Sequence, residues 1–253
     1  MRFALLASGS SGNSMLIEHD GYSILLDAGI SMRETLFRMA AAGMDGARPS
    51  AILLSHEHSD HSSSAGALAR KFRIPVHATA GTLRSAARAL GKVPCVVRLE
   101  NGSSIELGPF RVEAHWLPHD AEDPSGYVIE WDDGRLGVAT DLGSWGEWLV
   151  QGFRGCTALV IEFNHDLGML WDGSYPWYLK QRIASSNGHL CNADAASLLD
   201  RLRHAGLEKV VLAHLSRENN RPEIAYGAAK AILGPEKGLL VGDQFVNTPM
   251  MEL

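Results

Sequence analysis

An α/β fold, with two β-sheets pressed together between outer layers of helix, is what this chain of 253 residues predicts. Three observations carry the prediction. The first half reads mostly as short strands joined by tight turns. The second half alternates helix with strand, and three apolar strands run into a histidine or an aspartate. Elements in that order cover both faces of two sheets, which a four-layer sandwich provides. No linker rich in Pro or Gly and no repeat breaks the pattern, so residues 1–253 read as a single domain.

Residues 2–7 form the first strand, Ser8-Gly9-Ser10-Ser11-Gly12-Asn13-Ser14 turns the chain, and MLIEH runs back. Asp20-Gly21 is a hairpin signal, and YSILLD makes a third strand that ends at Asp27. A helical pattern spans 31–42, and AILLS is a short buried strand leading to His56. Residues 63–72 read as a helix, IPVHAT as a strand and 80–90 as one further helix. Strands near 95–99, 104–107, 110–117, 126–131 and 135–140 follow, punctuated by NG, GP and DDG turns. The remainder reads as a helix near 144–151, strand TALVIE, helices 176–185 and 193–204, strand KVVLA, helix 222–233 and strand 239–242.

Composition narrows the function classes. Hydrophobic residues at 45% and charged residues at 21% suit a globular protein, and no apolar run approaches a membrane span. No membrane partner is expected. The apolar stretch at 3–7 is too short for a secretion signal and reads as the first strand of a cytoplasmic protein. Cys95, Cys156 and Cys191 are odd in number and scattered, which suits a reducing compartment. With a net charge of −6, any nucleic acid must be held by local basic patches. The Ser/Gly loop lacks the Lys and the following helix of a P-loop, so it is not a triphosphate cradle. Three antiparallel strands bring it to the same edge as Asp27. There Ser11 and Asn13 are expected to face substrate phosphate or the groups behind a metal site.

Chemistry concentrates in His56-Glu57-His58-Ser59-Asp60-His61, where three imidazoles and carboxylates fall within six residues after a buried strand. Imidazole and carboxylate are ligands for zinc and similar divalent ions. His56 and His58, two apart, can bind one ion from an extended turn. Asp60 and His61 are then carried to a second ion as a helix begins. A solvated, helix-capping loop would account for Asp60 but for none of the histidines.

HEHSDH resembles the H-x-H-x-D-H motif of the metallo-β-lactamase superfamily. The remaining pieces follow in the family's order: Asp27 ending a strand, His119 in LPHD, Asp141 in ATDLG and His214 in LAHLS. The resemblance implies an αββα sandwich with a dinuclear centre. His56, His58 and His119 would hold one ion, Asp60, His61 and His214 the other, and Asp141 would bridge them. Asp27 would support the histidine loop from behind, although a turn residue before Gly29 is the plainer reading. His115 competes with His119, and LPHD followed by SGYVIE favours His119. His19, His77 and His204 lack motif context and read as packing or surface residues. Two divalent ions are the implied cofactors, zinc favoured, with manganese, iron and nickel also compatible.

Within that superfamily, His58 stands where di-iron oxygen reducers carry Glu, and no Cys adjoins a ligand as in the common zinc β-lactamases. EFNHD, YPWYLKQRI, GHLCN and HLSRENNRPE resemble the YycJ/WalJ-type family nearly end to end, with Phe163 and Cys191 as departures. This resemblance implies a metal-dependent phosphodiesterase, a 5′-to-3′ DNA exonuclease using a metal-bridged hydroxide, with Asp60 handling its proton. By likeness to ribonuclease Z, His189 of the Gly-His motif would protonate the leaving group, supported by Glu162. The plain reading makes His189 a helix-entry residue with Asn192 as the cap. His165 and Asp166 read as site edge or loop.

Nucleic acid, DNA in preference to RNA, is the expected partner, held by Lys180, Arg182 and Arg217. Arg70, Lys71, Arg73 and the i, i+4 pair Arg84 and Arg88 are weaker candidates, since basic residues on helices are usually solvated. Tyr175, Trp177 and Tyr178 read as core packing of their helix, with base stacking as the alternative. A small-molecule cyclic phosphodiesterase and a thioester hydrolase are the rival readings.

Overall fold

The computed structural model describes residues 1–44, 46, 48–234 and 238–253. In chain order the strands and helices are β1 (Arg2–Ala7), β2 (Ser14–His19), β3 (Tyr22–Leu26), α1 (Met32–Ala41), β4 (Ala51–Leu53), α2 (Ser59–Ser62) and α3 (Ala65–Phe72). Next come β5 (Val76–Thr79), α4 (Ala80–Ser85), α5 (Ala87–Leu90), β6 (Val96–Leu99), β7 (Ser104–Leu107), β8 (Phe110–Trp116), β9 (Ser125–Trp131) and β10 (Gly134–Ala139). The rest is α6 (Glu147–Phe153), β11 (Ala158–Glu162), α7 (Leu167–Asp172), α8 (Trp177–Ile183), α9 (Asn192–Leu202), β12 (Lys209–Ala213), α10 (Pro222–Leu233), β13 (Gly238–Val241) and β14 (Met251–Glu252).

Two seven-stranded mixed sheets result, ordered β14-β1-β2-β3-β4-β5-β6 and β13-β12-β11-β10-β9-β8-β7. Strand alternation explains why they stack. Phe3, Leu5, Ile24, Leu26 and Leu53 point inward against Phe110, Val112, Tyr127, Val160 and Val211 of the other sheet. Their neighbours Ala4, Leu6, Leu25, Ile52 and Leu54 point outward, onto Met39, Leu68, Ala69 and Phe72 of α1 and α3. On the second sheet Leu159, Ile161, Val210 and Leu212 meet Leu149, Leu198, Leu199 and Ala225 of α6, α9 and α10. Strands buried on both faces need near-continuous apolar runs, as AILL and VVLA supply. The layers are αββα, as the sequence predicts.

Besides the short edge strand β14, which the sequence reading does not anticipate, three details differ from it. The helix expected over 80–90 is two pieces, broken at Ala86 (φ −78°, ψ −3°). The carbonyl of Leu90 then lies so close to Gly66 that any Cβ there would meet it at 2.1 Å. Arg84 and Arg88 therefore do not share one continuous helix face, and Arg84 pairs with Glu122 at 3.2 Å. Helix α7 was not anticipated; Asp166 caps it by accepting the Met169 N–H at 2.9 Å, so Asp166 is a capping residue. The cap of α9 is Cys191 rather than Asn192, whose side chain instead donates to Asn220 Oδ1.

Candidate metal centre

Both sheets end their strands at one edge, and the loops leaving that edge build the site. Three residues there take left-handed backbone conformations despite having side chains: Asp27 (φ 61°), Asp141 (φ 61°) and His214 (φ 55°). Each costs roughly 1–3 kcal/mol, a strain that persists only where the surroundings over-determine it. Each turns a side chain back across the strand ends instead of letting the strand continue.

The first sheet's contribution is fastened through its backbone. Asn13 N–H donates to Asp60 O at 2.7 Å, Ala28 N–H to His61 O at 2.7 Å and Gly29 N–H to Asn13 O at 2.8 Å. Gly29 has to be glycine, since a Cβ would lie 1.6 Å from the Asp60 carbonyl oxygen. The Ser/Gly loop is thus the brace of the histidine loop. Behind it, Asp27 Oδ1 accepts the Ser55 N–H at 2.8 Å, while Oδ2 accepts the Ser55 hydroxyl and His61 Nδ1, each at 2.8 Å. Asn13 reaches His61 from the opposite side.

Hydrogen bonds also decide which ring nitrogen faces the centre. The Gly188 carbonyl can only accept, so His119 carries its proton on Nδ1 (3.1 Å) and turns Nε2 inward. Glu162 fixes His214 in the same way, at 2.9 Å, and Asp27 fixes His61. His56 places Nδ1 3.0 Å from the Ser55 hydroxyl. His58 is the exception, presenting Nδ1 at 3.1 Å from His56 Nε2 and 3.4 Å from His119 Nε2. Asp141 and Asp27 raise the proton affinity of His61 well above the usual range, against the effect of burial. The Gly9 N–H pins Asn13 Oδ1 at 2.8 Å, so it is the Asn13 Nδ2 donor that lies 2.9 Å from His61 Nε2.

Ligand atoms of His56, His58 and His119 converge within 4.8 Å of one another, as do those of Asp60, His61 and His214. Asp141 stands between the groups, Oδ2 3.3 Å from His61 Nε2 and Oδ1 3.4 Å from His214 Nδ1. Burial pushes its carboxyl up, but His214 and His61 outweigh that and hold it well below the usual range. Asp141 Oδ2 and His214 Nε2 are buried without a hydrogen-bond partner. Orphaned buried groups of this kind are costly, and a dication satisfies both at once. The donor set fits divalent metal binding. None of Cys95, Cys156 and Cys191 joins a metal-competent group among the described residues. His115 is remote from the cluster, beside Phe153 and Glu113.

Glu162 is wholly buried and saturated. Its Oε1 accepts from His189 Nδ1 at 2.7 Å and His214 Nδ1 at 2.9 Å, and Oε2 accepts the N–H groups of Leu142 and Leu190. Burial raises its pKa, but His189 and the other donors outweigh this and bring it to about 2. His189 is held with Nδ1 toward Glu162, beside the cluster and on the wall of a cavity of about 200 Å³. Gly188 before it packs against the end of α8, where a Cβ would meet the Ile183 carbonyl at 2.2 Å.

The cavity is also lined by Ser10, Asp120, Asn164, Tyr175, Arg182 and Ser216. Arg182 reaches it with Nε 2.5 Å from Asp120 Oδ2, an ion pair that holds the Asp120 carboxyl below its usual range against burial. Lys180 does not reach it: the side chain is buried and Nζ donates to the Trp171 carbonyl at 2.7 Å, closing the α7–α8 joint. Arg217 stacks over the Phe245 ring at 4.9 Å and lines a neighbouring cavity of about 340 Å³ that shares Ser216. Ser11 is exposed and its N–H donates to Gln244 Oε1, so it is Ser10 that meets the cavity. Arg70 is used structurally, donating to Leu90 O at 2.6 Å. His165 is buried with both ring nitrogens unpartnered. Ser10, Ser55, Asp120, Asn164 and Ser216 were missed from sequence; only the strand-end position of Ser55 signals one of them.

Sandwich and ligand edge define the class: the chain belongs to the metallo-β-lactamase superfamily, whose model matches residues 7–214. Within it, the chain is 36% identical over 249 residues to the exodeoxyribonuclease YycJ of Bacillus anthracis, covering 97% of this chain and 93% of that protein. It is likewise 36% identical over 229 residues to the exodeoxyribonuclease WalJ of Streptococcus pneumoniae, covering 89% and 85%. Among solved structures, the metallo-β-lactamase fold protein YhfI of Bacillus subtilis superposes with TM-score 0.74 at 17% identity, covering 98% and 99% of the two chains. Human tRNase Z, short form, does so at 0.68 and 14%, covering 100% of both. These last two likenesses are of fold. Among the described residues no helix is long and apolar enough to cross a membrane.

Proposed function

We propose that this chain is a metal-dependent phosphodiesterase acting on nucleic acid, a DNA exonuclease running 5′ to 3′. The observation that carries it is the Glu162–His189 pair, an oriented imidazole at the wall of a cavity beside two convergent ligand sets. Near end-to-end identity with two exodeoxyribonucleases supports the substrate class. Residues 1–253 act as one domain, with the cytoplasm as its compartment.

His56, His58 and His119 would hold one divalent ion, and Asp60, His61 and His214 a second, with Asp141 shared. Zinc is the favoured identity; manganese, iron and nickel suit the same donors. Such a pair of ions supplies an activated water and neutralises charge on the scissile phosphate. The protein's own groups do the rest. Asp60, held ionised by His214 and His61 against burial, accepts the proton of the attacking water. His189, with Nδ1 committed to Glu162, delivers a proton to the departing oxygen from Nε2. Arg182 meets the phosphates of the bound strand at the cavity, and Arg217 those beyond Ser216. Asp27 keeps His61 in register, as partners behind a ligating imidazole generally do.

The test is turnover by metal-reconstituted protein of end-labelled single- and double-stranded DNA and RNA, beside a cyclic nucleotide and a thioester. Release of mononucleotides from the 5′ end of DNA, abolished by Asp60→Ala, is expected. Cleavage of the thioester alone contradicts the assignment, and cleavage of the cyclic nucleotide alone moves it to the small-molecule phosphodiesterases.

A further inference from the structure

The sequence reading buried the aromatic residues of α8 in the core, and the structure does the reverse. Trp177 is 64% exposed and Tyr178 72%, and Trp171 on α7 is 39% exposed with its ring centroid 5.3 Å from that of Trp177. Large aromatic rings left in water on a folded protein mark a contact surface. This one adjoins the cavity. Tyr178 sits one helical turn before Arg182, so the two share a face, and Arg182, Leu179 and Tyr175 line the cavity together with His189. The row running out of the site is therefore imidazole, guanidinium, then aromatic rings.

We propose that Trp177 and Tyr178, backed by Trp171, form a stacking platform for unpaired nucleobases, so that the strand is bound single-stranded as it crosses the rim of the site. The inference rests on the nuclease reading above and specifies the state of the substrate. Two physical arguments favour nucleobases over a protein partner. The rings continue from the cavity wall that carries Arg182 and His189, where the substrate strand itself has to pass. The chain also carries a net charge of −6, so phosphate attraction is confined to local groups such as Arg182 and Arg217, and a grip independent of charge adds to it. Stacking needs no positive charge and suits any base, because every base has a π-face.

Stacking of a base on the outer faces of Trp177 and Tyr178, with the Trp171 ring already in contact behind Trp177, also agrees with how the joint is built. Lys180 is sequestered beneath it, tying α8 to the Trp171 carbonyl, and the Trp171 ring lies against that of Trp177. A preset pair of rings loses little conformational entropy on binding.

The experiment compares wild type with the Trp177→Ala/Tyr178→Ala double variant, both metal-loaded. It measures kcat and KM on an oligothymidylate and on bis(p-nitrophenyl) phosphate, a diester without a nucleobase. Binding of a cleavage-resistant phosphorothioate oligothymidylate is followed by fluorescence anisotropy at several salt concentrations. The ratio of kcat/KM for the oligothymidylate to that for the small diester is expected to fall about 5- to 150-fold for each stacked base lost. Affinity for the phosphorothioate should fall in parallel with an unchanged salt slope, because no phosphate contact is removed. Trp177→Phe/Tyr178→Phe, which keeps ring faces, should recover most of the loss. An unchanged ratio overturns the platform, as does a double variant whose only change is from dimer to monomer on sedimentation, which would make the patch a self-interface. If wild type turns over neither diester, it is the phosphodiesterase reading that fails, and the two failures are distinguishable.

Discussion

The two sheets contribute to the ligand edge in different ways. The first sheet delivers His56, His58, Asp60 and His61 from one contiguous loop, held by backbone hydrogen bonds from Asn13 and Ala28 and by the close approach of Gly29. The second sheet delivers His119, Asp141, His189 and His214 from four separate loops, and one buried carboxylate, Glu162, ties three of them together. A contiguous loop can be positioned largely by main chain, with Asp27 alone behind it setting the Ser55 turn and the His61 ring. Scattered ligands need a side chain that reaches several of them, and this makes Glu162 to the second sheet what the Gly29 contact is to the first.

That contrast can be broken most severely at its shared member. Asp141→Ala removes the carboxylate between the two groups, and metal content and turnover are expected to fall together, turnover by at least about 10³-fold. Gly29→Ala attacks the first sheet alone: the clash with the Asp60 carbonyl should lower unfolding free energy by about 4 kcal/mol or more. Retention of stability in chemical denaturation would show that the loop is looser than its contacts imply.

Asp27→Asn and Glu162→Gln sharpen the comparison, each costing about 10–100-fold in metal affinity. At saturating metal, Asp27→Asn should recover most of its turnover. Glu162→Gln should not, since His189 loses its orientation as well. Equal recovery by both would dissolve the distinction between the two halves.

The smallest effect is on stability against pH. Burial lowers the pKa of His77 to about 4, from 6.5, so between these values the unfolded chain binds the extra proton. The stability is fully present above about pH 6.5 and is lost as pH falls toward 4. His77→Leu should flatten that loss by on the order of 1–2 kcal/mol between pH 7 and 5. Denaturation midpoints at pH 7 and 5 check it.

The same contrast explains what the sequence made legible. HEHSDH is readable because the fold draws four donors from six consecutive residues, and the αββα layering because AILL, VVLA and their neighbours are apolar on both faces. Glu162 and His189 were reached through the resemblance of EFNHD and GHLCN to a family, since nothing local ties residues 27 apart. Ser10, Asp120 and Ser216 come together only in three dimensions. Lys180 misleads because a helical lysine reads as solvated, whereas its ammonium satisfies the carbonyl of Trp171 near the end of α7. Trp177 and Tyr178 mislead in the opposite sense, since aromatic residues on a helix default to core and only the rim position leaves them open. The Ser/Gly loop became interpretable once Asn13 was seen bonded to Asp60 and set beside His61.

The central proposal is that two ligand sets, each drawn from the edges of both sheets and sharing Asp141, together cleave DNA. Stepwise addition of zinc or manganese to chelated protein, with bound metal and release of 5′-labelled nucleotide followed in the same samples, tests it most directly. Activity is expected to appear chiefly as the second equivalent binds, reaching its plateau at about two ions per chain. Full activity at one equivalent, or a fully loaded protein that leaves DNA intact, would contradict it.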